Sequence, residues 1–311
     1  MNRFKPISMI AAVALAAAPA FGAGKADGAA SKPTVAVSVI PQKYFVDRIS
    51  GGRVDAMVLV GPGQSPHSYE PTPRQMASLS AASAWLSIGV DFEVGLKPKI
   101  AALYPKLPIV DTTVGVAYRT LEAHGHEDED GDRHEGEEHA EDEEHADAPG
   151  SRDLHVWLGR RPAKAMAAEI RDALIKIDPA GEAEFRKNHD AFVKDVDAAF
   201  DSLKGDLAPL KGKPVFVYHP SFGYYFDEFG IVQEAVETGG KEPTQKALAE
   251  LIRRAKEDGA KVIFVQAQFP AAAAKTVADS IGGAVATIDP LAPDWLENIG
   301  RIGAALKKAA K

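Results

Sequence analysis

The sequence predicts an α/β protein of two lobes, each a parallel-type β-sheet flanked by helices, joined by one long backbone helix. Three observations carry that expectation. Short β-branched apolar runs alternate with helical patterns in both halves of the chain, the signature of βαβ units. One amphipathic stretch near the middle is much longer than the others. And 45% apolar with 26% charged residues over 311 positions suits a chain of two folded domains.

Residues 1–23 stand apart. Arg3 and Lys5 precede an apolar run over residues 7–18, and small residues follow at Ala18, Ala20 and Ala23. This pattern predicts a cleaved export signal, too short for the ~20 residues that span a bilayer. The mature chain is expected to begin between Phe21 and Lys32, in a periplasmic compartment.

The N-terminal lobe is expected over residues 32–178. Strands are predicted at 34–40 and 54–60, with a helix over 43–50 between them. Thr72-Pro73-Arg74-Gln75 combines an N-cap threonine, proline at the first helical position and glutamine at the capping-box position, so a helix starts there. Strands follow at 84–88 and 109–111. Such a sheet binds ligands outside the carboxyl ends of its strands.

Asp178-Pro179 opens the longest helical pattern, with Phe185, Phe192, Val196, Ala199, Phe200, Leu203 and Leu207 on one face. The linking helix is expected over residues 179–210, ended by Lys211-Gly212-Lys213-Pro214. The C-terminal lobe, residues 211–311, then reads as strand 215–218, helix 244–258, strand 262–264, helix 271–281 and strand 284–288.

Composition narrows the chemistry. There is no cysteine, which excludes disulfides, thiolate zinc sites, iron–sulfur clusters and cysteine nucleophiles. The net charge of −8 is unevenly spread: residues 122–147 alone carry −13, leaving the rest at +5. That body has no long basic run, so no nucleic-acid partner is expected.

Five of the nine histidines, His124, His126, His134, His139 and His145, lie in the acidic stretch at 122–148. Too polar and too highly charged to bury a core, that stretch is expected to be a disordered loop. His189 belongs to the long helix and takes no role. His67, His155 and His219 share a context, since each lies in a connection at or near a strand end or helix start. Loop histidines so placed converge naturally on a cleft.

Four segments, GPGQSPHSYEPTPRQM, DLHVWLGRRPAKAMA, VYHPSFGYYFDEFG and ATIDPLAPDW, resemble in order the signatures of periplasmic metal-binding proteins of ABC importers, on the zinc-binding ZnuA-like branch. The resemblance spans nearly the whole mature chain. It implies two lobes that clamp one divalent cation, with His67 and His155 as ligands from the first lobe and His219 from the second. Asp289 matches the position that supplies a carboxylate in many members, although Asp-Pro is also a turn signal. The relatives that resemble manganese carriers have glutamate where this chain has His219, and imidazole nitrogen suits Zn²⁺.

The resemblance further implies a membrane permease as partner, a monomeric carrier and a transported Zn²⁺ rather than a resident cofactor. The acidic loop, placed where zinc-branch relatives carry such insertions, is expected to hold zinc weakly through its five histidines, the alternative being a solubilising spacer. Leu154 and Gly159 depart from the usual proline and aspartate, and Gln266 stands where glutamate is common. Other readings are an exported zinc-dependent hydrolase with Glu70 as base, a carrier of manganese or another divalent metal, and an adhesin of the same family. Neither HExxH nor GxSxG occurs in the chain.

Overall fold

The computed structural model describes residues 1, 32–121, 150–237, 244–269 and 272–310. The expected export signal, apart from Met1, and the acidic stretch with His124, His126, His134, His139 and His145 lie outside them.

Four strands, β1 (Thr34–Val37), β2 (Asp55–Val58), β3 (Ala84–Ser87) and β4 (Ile109–Asp111), form a parallel sheet in the order β2-β1-β3-β4. Three helices, α1 (Ile40–Ser50), α2 (Pro73–Ser80) and α3 (Asp91–Leu103), supply the crossovers. Successive side chains of a strand point to opposite faces, and this decides the layering. Val35, Val37 and Leu86 enter one core with Phe45 of α1, whereas Ala36 and Trp85 enter another with Leu59, Leu79 and Ile100.

The second sheet repeats the scheme. Strands β5 (Pro214–Val217), β6 (Val232–Ala235), β7 (Val262–Val265) and β8 (Ala284–Thr287) run parallel in the order β6-β5-β7-β8. Val215, Val217 and Phe264 join the same core as Val35, while Phe216, Ile263 and Val265 pack with residues of α7 (Gln245–Glu257) and α8 (Ala272–Ser280). Each sheet therefore has an outer core of its own and shares an inner one.

Helices fill that shared core. α4 (Arg160–Ile177) leads into α5 (Glu182–Leu207), whose 26 residues span about 39 Å at 1.5 Å per residue. The expected apolar stripe holds: Phe185, Phe192, Val196, Phe200, Leu203 and Leu207 are buried. The last helix, α9 (Trp295–Ala309), lies along it in the same direction, from Trp295 beside Phe192 to Lys307 at Asp206, and Trp295 closes an aromatic cluster with edge-on rings at 5.0 Å from Phe45 and 5.9 Å from Phe192. Each such pair contributes roughly 0.5–1.5 kcal/mol beyond its burial. Among the described residues, no helix is long and apolar enough to cross a membrane.

The sequence-predicted elements recur, with instructive differences. The first strand stops at Val37, not at residue 40, because Pro41 fits a helix's first turn but cannot donate to a ladder. The Thr72 cap is as expected: its side chain accepts from the Gln75 N–H and its own N–H donates to Gln75 Oε1. α3 contains Gly95 and Pro98, two breakers that hide it from a propensity reading. β6 is hidden by the polar Gln233 and Glu234 at its centre. Two more helices have no counterpart in the sequence reading: α6 (Gly223–Phe229) and α9.

Candidate metal centre

The carboxyl edges of both sheets meet at three histidines. His67 lies in the connection from β2 to α2, His155 immediately precedes a 3-10 turn at Val156–Leu158, and His219 lies two residues beyond the end of β5. One ligand atom from each falls within 4.8 Å of the other two. His219 Nε2 is 3.0 Å from His155 Nε2 and 3.1 Å from His67 Nε2. Tetrahedral Zn–N bonds of about 2.05 Å would set these separations near ~3.3 Å, so a shift of a few tenths of an ångström admits the ion.

Each ring is oriented by a carboxylate on its other nitrogen. His67 Nδ1 lies 2.5 Å from Asp91 Oδ2, His155 Nδ1 2.9 Å from Asp153 Oδ1, and His219 Nδ1 2.5 Å from Glu237 Oε1. An ionised carboxylate only accepts, so the proton of each neutral ring sits on Nδ1 and the Nε2 lone pair faces inward. Three inward lone pairs repel one another without a cation between them. Carboxylate–histidine pairs of this kind fix the tautomer and raise ligand basicity.

The local sequence explains the placements. Asp91 is the first residue of α3, where a helix N-terminus favours negative charge. Asp153 Oδ1 also accepts the His155 backbone N–H at 2.9 Å, so one oxygen holds both ends of the ligand residue. Gln266, just past β7, clamps His219: its Oε1 accepts from the His219 N–H at 3.2 Å and its Nε2 donates to the His219 carbonyl at 2.6 Å. A glutamate there could not donate that second bond. Phe269 stacks on the His219 ring at 4.6 Å, and Trp157 meets His155 edge-on at 5.4 Å.

Sequence reasoning singled out the three histidines but not Asp91, Asp153 or Glu237. Asp153 had a local signal, two residues before a candidate ligand. Glu237 had none, because it follows the unread strand β6.

Asp289 stands outside the group of three. Its Oδ1 accepts from Leu291 N–H at 2.9 Å and from Gln268 Nε2 at 3.0 Å, the turn-forming alternative raised by Asp289-Pro290. The five histidines of the acidic stretch are not placed, since they lie outside the described residues. Glu70, the hydrolase reading's only base, is exposed and does not line the pocket, whose walls include Val90, Leu154, Trp157, Phe269 and Leu291. The departure at Gly159 has a steric reason: a Cβ there would come within 2.8 Å of Tyr224 Cβ and Pro162 Cγ.

Residues 35–309 match the family described as zinc-uptake complex component A, periplasmic (ZnuA). The chain is 26% identical to the zinc-binding protein AdcA of Streptococcus pyogenes serotype M3 over 85% of its length, and 26% identical to the high-affinity zinc uptake system protein ZnuA of Yersinia pestis over 83% of its length and 82% of that protein's. It spans about half the length of AdcA, 51%. A crystal structure of ZnuA superposes with a TM-score of 0.77 at 30% identity, covering 90% of this chain and 99% of that one.

Proposed function

The chain belongs to the ZnuA family, and from that premise we propose that it is an exported carrier that captures Zn²⁺ between its two lobes and delivers it to the permease of an ABC importer. The observation that carries the reading is the convergence of three imidazole Nε2 atoms whose opposite nitrogens are all held by carboxylates. His67, His155 and His219 are the zinc ligands in this reading. Water or Asp289, released from its turn, completes a four-coordinate shell.

The donor set favours zinc. A nitrogen-rich, four-coordinate site suits a borderline-soft d¹⁰ ion, whereas Mn²⁺ and Mg²⁺ prefer more oxygen. Cu²⁺ competes in a test tube, because affinity follows the Irving–Williams order and availability decides the cellular outcome. The apolar pocket walls lower the local dielectric and so strengthen the field of the three carboxylates at the ion.

Titration of metal-free protein with zinc, alongside elemental analysis of protein purified without added metal, tests the proposal. One tight zinc per chain is expected. In the same reading, the acidic stretch with His124, His126, His134, His139 and His145 gathers zinc weakly for the cleft. Deleting residues 125–146 should remove the weak sites and keep the tight one. Loss of the tight site on that deletion would count against this division of labour.

A further inference from the structure

Asp153 has a second partner besides His155. Its side chain is fully buried (0% exposed), and its Oδ2 accepts from Arg119 Nη1 at 2.9 Å, the Arg119 side chain being only 12% exposed. A buried carboxylate persists only when paired and hydrogen-bonded. The backbone sets up this pair: the Asp153 N–H donates to the Arg119 carbonyl at 2.9 Å, next to the antiparallel bridge between Thr120 and Arg152.

Helix α6 completes the arrangement. The Tyr224 hydroxyl donates to the Asp153 carbonyl at 2.9 Å and accepts from the Arg119 N–H at 3.1 Å. Arg119 Nε donates to Asp227 Oδ2 at 2.9 Å. A Cβ on Gly223 would lie 1.8 Å from Arg119 Nη1 and 2.8 Å from Asp153 Oδ2, so α6 starts with the residue that leaves room for the pair. Burial opposes the Arg119 charge, but the hydrogen bonds and charges of Asp153 and Asp227 outweigh it and hold the guanidinium pKa above its usual value.

We propose that Arg119 is a positioning residue for the cation site: its guanidinium locks Asp153, Asp153 locks His155, and the same planar fork ties that ligand to α6. This deepens the zinc-carrier reading and rests on it. Lysine could not replace the fork, because a point charge on a flexible stem does not hold two carboxylates in fixed directions.

The test measures zinc affinity by chelator competition, and the visible spectrum of Co²⁺ bound in place of zinc, for the full chain and for Arg119→Met, Arg119→Lys, Asp153→Asn and the Arg119→Met/Asp153→Asn double variant. Arg119→Met should weaken zinc by about 10- to 100-fold, as loss of outer hydrogen-bond partners does, and should shift the Co²⁺ bands. Arg119→Lys should recover part of the loss. In the Asp153→Asn background the same Met substitution should change affinity less than about twofold, because the two residues act in series.

Wild-type affinity and spectrum in Arg119→Met, or a loss that adds in full to that of Asp153→Asn, overturns the proposal. Should Arg119→Met fail to fold, a further loss above about tenfold in the double variant relative to Asp153→Asn overturns it equally. An unsubstituted protein that takes up neither Zn²⁺ nor Co²⁺ overturns the carrier reading itself, a result distinct from either of these.

Discussion

The two sheets share one strand order but deliver their histidines differently. In the second sheet, His219 leaves β5 directly, its side chain is 2% exposed, and Gln266 grips its backbone from both sides. In the first, His67 comes nine residues beyond Val58, and its side chain remains 21% exposed. One histidine is a fixed post fastened to a strand end, while the other rides on a long connection. Identical topology therefore does not give identical anchoring: the length of chain between strand and histidine does.

Substitutions can break or sharpen this contrast. The largest effect is expected for His219→Ala, which removes a proposed ligand together with the buried ring whose Nδ1 faces Glu237. Zinc-dependent stabilisation, about 4 kcal/mol at free zinc a thousandfold above Kd, should vanish, and the metal-free protein should lose about 1–3 kcal/mol as well. Thermal unfolding with zinc and with chelator reads both. His67→Ala should abolish the same zinc-dependent shift but leave the metal-free melting within about 0.5 kcal/mol, as expected of a more exposed loop residue. An equal loss of metal-free stability in the two variants would erase the distinction.

Smaller effects probe the supports. Gln266→Ala should weaken zinc by about 10- to 100-fold while every ligand remains, which chelator competition would register. Asp289→Asn should have the smallest effect, under about tenfold, since its carboxylate serves the turn at Leu291 and Gln268. A loss of more than a hundredfold would mean that Asp289 leaves the turn and reaches the ion.

How much of this was legible in the sequence depended on how local each signal was. The Thr72 cap, the stripe on α5 and the β-branched runs of β1, β5 and β7 are nearest-neighbour patterns, and all were readable. α3 and β6 were not, because Gly95, Pro98 and the polar Gln233-Glu234 pair speak against elements that tertiary burial stabilises anyway. The same rule holds at the site. Three histidines in connections could be picked out, and Asp153 lies only two positions from His155, but the other two carboxylates are brought in by the fold: Asp91 lies 24 positions from its histidine and Glu237 lies 18. Asp289 illustrates a motif residue that also serves a local turn, its Oδ1 accepting from Leu291 N–H and Gln268 Nε2.

The tryptophan ladder has a mechanical consequence. Trp157, next to His155 in the chain but one, donates to the Pro290 carbonyl at 2.8 Å, and Trp295 of α9 donates to the Trp157 carbonyl at 2.8 Å. Halves bolted together through a common aromatic floor have little freedom to yawn apart. In the proposed carrier reading, metal-free and zinc-loaded protein should then scatter X-rays with nearly the same radius of gyration, and metal exchange falls to the connection that carries His67 rather than to a swinging hinge.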